Sequence, residues 1–202
     1  MDFIEFDFGT RNSVFPSDIV TVHQVHSASV RVNHGQARCA DDKRPDADAL
    51  VENTPGVAVG VRTADCVPVL LADPVRRVVA AVHAGWRGTA AQIVPVTLQT
   101  MDREFGSRAD DVHAAIGPSI GPCCYEVGPE VAREFGVTAS GRVHLDLWRM
   151  NAKQLMAAGV RAENISVAED CSMCNSATYH SFRRDREAAG RMISWIRIRP
   201  QG

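Results

Sequence analysis

The sequence has no long apolar run, no excess of charge of one sign and no nucleotide-binding motif. No stretch approaches the ~18 consecutive apolar residues of a membrane span, so we expect no transmembrane segment and no membrane partner. A net charge of −2 over 202 residues gives no electrostatic basis for binding nucleic acid. Walker loops and GxGxxG turns are absent, which argues against the nucleotide-binding sites that these motifs form.

Features of secreted proteins are also missing. Residues 1–7 (MDFIEFD) are acidic and alternating, and they lack the basic and apolar regions of a signal peptide. We therefore expect a cytoplasmic protein, in which the six cysteines serve metal binding or catalysis rather than a disulfide framework. Hydrophobic content of 45% and charged content of 23% are typical of a globular chain, and we expect a single domain over residues 1–202.

What is present is a thiol and a histidine in two unusual motifs. Cys66 ends the motif TADC (residues 63–66), and His83 opens the motif HAGWRG (residues 83–88). Apolar, β-branched runs that predict buried strands precede both motifs, and α/β proteins place their sites at strand ends. The two side chains are therefore expected to share a pocket, although each could instead be a buried core residue.

His26 (motif QVH) lies in another β-branched run and completes a His₂Cys set with Cys66 and His83. Three such ligands with an open fourth position are typical of a catalytic zinc site. Arg87 is a natural bidentate partner for phosphate. Arg183 and Arg184 form either a solvated turn or a second anion-binding patch.

Cys171 and Cys174 form a CxxC pair with several interpretations: half of a structural zinc site, a redox pair, or part of a nucleobase-deaminase signature. The deaminase signature also needs an upstream His-x-Glu and a proline directly before the first cysteine, but no His-x-Glu occurs and Asp170 precedes Cys171. A structural zinc needs two more ligands, and Cys123 and Cys124 are adjacent rather than spaced. We expect a packed, reduced pair.

Apolar runs predict strands near residues 19–22, 28–32, 49–51, 57–61, 67–71, 78–82, 112–116, 165–167 and 193–198. Helical spacing predicts helices over residues 88–105, starting or kinking near Pro95, over 129–135 and over 146–158, with a helical turn within 186–192. This mixture predicts an α/β fold with mixed sheets.

Several longer motifs carry a resemblance. They are residues 24–26, 47–51, 63–71, 81–88, 115–128 and 145–148. In this order they resemble the YfiH-like, laccase-domain family, whose members are labelled polyphenol oxidase, multicopper oxidase-like or purine nucleoside phosphorylase. The chain departs from the family pattern in a short N-terminal segment and at Ser172 and His180.

The resemblance implies a four-layer α/β/β/α sandwich with mixed β-sheets and a zinc held by His26, Cys66 and His83. The implied activity is phosphorolysis of purine nucleosides, with adenosine deamination and methylthioadenosine cleavage as companions. Purine nucleoside and phosphate are then the partners, and we expect a monomer. Tyr125 or Glu126 is our candidate proton donor to the leaving base.

Three alternatives stay open at this point. A copper-dependent polyphenol oxidase is one, although a trinuclear copper cluster needs about eight histidines, and the chain has seven and no His-x-His. A single bound copper remains compatible with the ligands. A hydrolase using Cys66 and His83, acting on peptidoglycan precursors, is the second, and a non-catalytic binding module is the third.

Overall fold

The computed structural model describes residues 2–38, 40 and 43–200, so Cys39 lies outside the described residues. The strands are β1 (Ile4–Phe8), β2 (Val30–Val32), β3 (Ala49–Glu52), β4 (Val59–Thr63), β5 (Val67–Asp73), β6 (Val78–Ala84), β7 (His113–Ile116), β8 (Glu126–Val127), β9 (Val143–His144), β10 (Ile165–Val167) and β11 (Met192–Ile198). The α-helices are α1 (Trp86–Ala90), α2 (Ile93–Phe105), α3 (Pro129–Arg133), α4 (Leu147–Ala157) and α5 (Phe182–Asp185). Short 3₁₀ helices cover Ala109–Asp111, Ala162–Asn164 and Arg186–Ala188.

A mixed sheet in the order β10-β7-β5-β6-β3-β2 forms the centre of the molecule. Its outer pairs, β10 with β7 and β2 with β3, are parallel, and its inner pairs are antiparallel. Every residue of β5 and β6 is buried, because the sheet is covered on both faces. This explains why these strands are continuous apolar runs rather than alternating ones.

The two faces of the central sheet pack against different partners. Val69 and Leu71 point to the side covered by α2 and α4, while Leu70 and Ala72 pack against a smaller sheet. That smaller sheet is antiparallel, in the order β1-β11-β4.

The predicted mixed α/β fold with mixed sheets is confirmed. Within the described ranges we find helix, sheet and sheet layers. On the face of the small sheet that points away from the central sheet, Ile19 from a loop packs against Trp195 from β11 in a separate small cluster. The resemblance implies a fourth, helical layer at this position.

Local chemistry explains the helix boundaries. Asp146 caps α4 by accepting a hydrogen bond from the Arg149 backbone N–H (2.9 Å). Gly106 ends α2 with φ of 69°, a conformation that glycine adopts without strain. The predicted helix over residues 88–105 is two helices, and Pro95 lies in the first turn of α2, where its missing N–H has no helical partner.

One predicted strand is wrong. Residues 19–22 make only an isolated bridge from Val20 to Val59 and no ladder. Their apolar side chains are buried by tertiary packing, a pattern that periodicity alone does not distinguish from a strand.

In the described part of the chain, no helix is both long enough and apolar enough to cross a membrane.

Candidate metal centre and active site

The register of β5 against β6 brings Cys66 and His83 together. Pro68 pairs with His83 and Val67 with Ala84, so Cys66 lies opposite Gly85 at the end of the ladder. A Cβ atom at Gly85 would lie 2.9 Å from the Cys66 Sγ, closer than carbon and sulfur pack. Glycine at this position therefore leaves room for the thiol.

His26 reaches the same point from a bend rather than from a strand. Its backbone has φ of 59°, in the left-handed region, which turns its side chain toward β6. The His26 and His83 rings meet edge to face with centroids 4.9 Å apart. One ligand atom each from His26, Cys66 and His83 lies within 4.8 Å of the others, close enough to hold one metal ion.

Asp48 positions both histidines and is fully buried. His83 Nδ1–H donates to Asp48 Oδ1 (2.8 Å), which leaves Nε2 free for a metal. The backbone N–H of His26 also donates to Oδ1 (3.0 Å), and the N–H and Oγ of Ser27 donate to Oδ2 (2.6 and 2.8 Å). These bonds hold the strained His26 backbone in place.

Replacing Asp48 with Asn should weaken metal binding by about 10- to 100-fold, because Asp48 sets the His83 tautomer and raises its basicity as a ligand. Competition with a chelator at neutral pH measures this affinity. Asp46→Asn is the matched control, because Asp46 accepts a hydrogen bond from His23 but is exposed. Equal affinities in the two variants would contradict this role of Asp48.

Charges in the site shift the pKa values of these groups. Burial raises the pKa of Cys66, but the His83 charge and hydrogen bonds from both histidines outweigh it and lower this pKa to about 6. Burial lowers the pKa of His83, but the Cys66 thiolate and Asp48 outweigh it and raise this pKa to about 9. Without metal, the two therefore form a thiolate–imidazolium pair at neutral pH.

A cavity of about 920 Å³ opens onto the three residues. Its lining includes Arg44, Arg62, Arg87, Arg183 and Arg191. Asp65 is the only acid in that lining, among the described residues, and both its oxygens are engaged, by Ser172 Oγ (2.7 Å) and by the Arg183 backbone N–H (2.6 Å). The cavity is therefore suited to an anionic ligand.

The three predicted anion-binding arginines differ in their surroundings. The Arg87 guanidinium lies 4.3 Å from the centre of the Trp86 ring, and Arg87 lines the cavity. Arg183 also lines it, and its Nη1–H donates to the Glu126 carbonyl (2.9 Å). Arg184 instead donates to the carbonyl oxygens of Ser172, Met173 and Tyr179 and pairs with Asp185, away from the cavity lining.

The two candidate proton donors differ in their position relative to the cavity. Tyr125 lines the cavity, and burial together with the nearby Cys66 charge raises its pKa to about 12, so its hydroxyl keeps its proton. The Glu126 carboxylate lies outside that lining and pairs with Arg142 (3.2 Å). The geometry thus favours Tyr125.

Residues 117–121 (GPSIG) match the GxSxG pattern of serine hydrolases. Ser119 is fully buried, however, and its Oγ accepts a hydrogen bond from Trp148 Nε1–H (2.5 Å). It is therefore not placed as a nucleophile at the cavity.

Sequence reasoning missed Asp48 and underestimated His23. Asp48 lies in one of the family-like motifs (residues 47–51), but only the fold shows that it bonds His83, 35 positions away. In a regular strand, side chains three positions apart point to opposite faces, so only one of His23 and His26 would reach the pocket. Both line the cavity, because residues 23–26 form no regular strand.

Comparison with known proteins agrees with this architecture. A family profile described as "Multi-copper polyphenol oxidoreductase laccase" matches residues 9–199. The chain belongs to this family. It is 41% identical over 190 residues to a purine nucleoside phosphorylase of Deinococcus radiodurans, covering 89% of this chain and 70% of that protein.

Another relative is named adenosine deaminase RL5, from an unknown prokaryotic organism. It is 38% identical over 196 residues, covering 89% of this chain and 74% of that protein. The crystal structure of YlmD from Geobacillus stearothermophilus superposes with a TM-score of 0.86 at 34% identity, covering 91% of this chain and 74% of that one. These two relatives thus carry enzyme names for reactions of purine nucleosides.

Proposed function

We propose that this chain is a zinc-dependent purine nucleoside phosphorylase. Adenosine, inosine or methylthioadenosine would react with phosphate to give the free base and a ribose 1-phosphate, with adenosine deamination as a companion activity. The observation that carries the proposal is the meeting of a His₂Cys donor set with an arginine-rich cavity. The names of the relatives support the same substrate class.

His26, Cys66 and His83 are the residues that would hold the metal. Two imidazoles and a thiolate suit zinc, and the bond from His83 Nδ1–H to Asp48 is the support that such ligands usually have. When bound, zinc supplies Lewis acidity toward an oxygen of a substrate or of water.

The arginines of the cavity would bind phosphate. Arg87 is fixed against Trp86 and offers a planar, bidentate donor pair, and Arg183 adds a second charge on the cavity wall. A phosphate oxygen held there forms the new bond to C1′ of the sugar. The bond from C1′ to the base nitrogen breaks, and the base leaves with the electron pair.

The departing base needs a proton. Tyr125 Oη keeps its proton at neutral pH and lies on the same cavity as the anion-binding groups. It would donate that proton to a ring nitrogen of the leaving purine. Trp86 and Phe182 offer apolar surface at the cavity for the flat base.

Substituting Arg87 with Lys should raise the KM for phosphate several-fold, because lysine keeps the charge and loses the bidentate fork. Initial rates at varied phosphate and saturating adenosine measure this. Arg103→Lys, at the exposed end of α2, is the matched control. An unchanged phosphate dependence in Arg87→Lys would remove Arg87 from the site.

The decisive test uses zinc-loaded protein and adenosine, with and without phosphate, with products identified by mass. Adenine and ribose 1-phosphate that appear only with phosphate support the proposal. Inosine under both conditions makes deamination the primary reaction. No turnover of any purine nucleoside contradicts the proposal. In the cell we expect a monomer in the cytoplasm, acting on nucleoside and phosphate.

One observation favours a second candidate, a cysteine hydrolase. Cys66, His83 and Asp48 form a nucleophile–base–carboxylate series, and the lowered pKa of Cys66 favours its thiolate. Cleavage of an aminoacyl amide of a peptidoglycan precursor by metal-free protein would support this candidate. The family description also supports a third candidate, a copper-dependent polyphenol oxidase. Phenol oxidation by copper-loaded protein tests this candidate.

A further inference from the structure

Four cysteines meet at a second point on the surface of the molecule. Cys123 and Cys124 lie in the loop between β7 and β8, and Cys171 and Cys174 lie in the segment after β10. One sulfur atom from each lies within 4.8 Å of the others. The Cys174 Sγ is 3.3 Å from that of Cys124 and 3.7 Å from that of Cys123, and all four thiols are free.

The CxxC pair therefore has two further cysteines beside it, although Cys123 and Cys124 lack the spacing of a second CxxC. Cys123 and Cys124 are adjacent in the sequence and lie in a turn. The Cys124 N–H donates to the Gly121 carbonyl (2.9 Å) in that turn. In this conformation both thiols are directed toward the CxxC segment.

The spacing of the sulfurs matches a metal centre. Four thiolates around a tetrahedral zinc, each at about 2.3 Å, lie roughly 3.8 Å from one another. A disulfide needs sulfurs at about 2.05 Å and joins only two of the four cysteines. The arrangement therefore suits four ligands around one centre better than a bonded pair.

Backbone hydrogen bonds hold the two loops together. Ser119 N–H donates to the Asp170 carbonyl (3.2 Å), and Ser172 N–H donates to the Ser119 carbonyl (2.9 Å). The Gly121 N–H donates to Cys171 Sγ (3.3 Å), the kind of bond that stabilises a ligating thiolate. A preorganised site loses less conformational entropy when it binds an ion.

Arg184 supports the CxxC segment specifically. Its Nη1–H groups donate to the carbonyls of Ser172 and Met173, the two residues between the cysteines (3.0 and 3.1 Å). These bonds fix the turn that spaces Cys171 and Cys174. The guanidinium also brings positive charge to a centre that four thiolates would leave with a net charge of about −2.

We propose that Cys123, Cys124, Cys171 and Cys174 form a second metal site, a tetrathiolate zinc centre separate from His26, Cys66 and His83. A closed set of four cysteines is typical of structural zinc. The centre ties together two walls of the cavity. Tyr125 directly follows Cys124, and Ser172 Oγ donates to Asp65, the neighbour of Cys66.

Metal analysis of the whole protein, purified with zinc under reducing conditions, tests this site independently of the proposed reaction. Wild type is expected to hold about two zinc ions per chain, and Cys66→Ala and Cys174→Ser about one each. The double variant should hold none. Cys39→Ser, which changes a cysteine in neither proposed ligand set, is the control and should match wild type.

X-ray absorption at the zinc edge of Cys66→Ala covers the case in which Cys174→Ser fails to fold. We expect a shell of four sulfurs at about 2.3 Å. Nitrogen or oxygen ligands in that shell would overturn the proposal. The proposal would also be overturned if Cys174→Ser held as much zinc as wild type while Cys66→Ala held none. A disulfide from Cys174 to Cys123 or Cys124 that excludes zinc under these conditions would overturn it as well.

Discussion

Replacing Cys66 with alanine should empty the His₂Cys site and lower phosphorolysis by more than about 100-fold. Loss of a supporting partner alone weakens metal sites by about 10- to 100-fold, and loss of a ligand exceeds that. The thiol is half-buried at the cavity, and alanine fits the same space, so the fold should persist. Metal content and kcat/KM for adenosine, measured on the same preparation, provide the test.

Cys39→Ala, which removes a thiol that is in neither proposed ligand set, provides the control. Full activity in Cys66→Ala would place the reaction at another site. A metal-free wild type that is as active as the zinc-loaded form, combined with an inactive Cys66→Ala, would identify Cys66 as a nucleophile instead of a ligand.

The thiol of Cys66 in metal-free protein should react with iodoacetamide at neutral pH far faster than an ordinary thiol of equal access. With its pKa lowered from 9.0 to about 6, its thiolate fraction at pH 7 is roughly 100-fold larger. Peptide mapping by mass spectrometry across a pH series isolates Cys66 from the other cysteines. Its reactivity should rise through about pH 6, and in His83→Asn the midpoint should move upward.

The lowered pKa of Cys66 also makes the stability of the metal-free protein depend on pH. Because the folded pKa of Cys66 lies below the unfolded value, its thiolate stabilises the metal-free protein at high pH, and this contribution is lost as the pH falls through about 6. For His83 the folded pKa is raised to about 9, so its contribution is present below about 6.5 and is lost as the pH rises through about 9. Urea unfolding of wild type and Cys66→Ser should differ less at pH 5 than at neutral pH. An equal difference at both would show that Cys66 is not ionised in the fold.

The sequence by itself determined the strands and helices that carry the site. The apolar runs of β5 and β6 are buried on both faces, so each strand can be recognised from neighbouring residues alone. The motifs at the ends of these strands predicted a shared site for Cys66 and His83. The start of α4 and the end of α2 could be predicted for the same reason, since Asp146 and Gly106 act on the nearest turn.

Only the tertiary structure decided which side chains meet. His26 reaches His83 from a bend with positive φ, and the buried carboxylate of Asp48 bonds a histidine 35 positions away. Cys123 and Cys174 are separated by 51 positions, yet their sulfurs are 3.7 Å apart. Such contacts depend on sheet register and loop packing, which join distant segments, whereas propensity and periodicity describe neighbours along the chain.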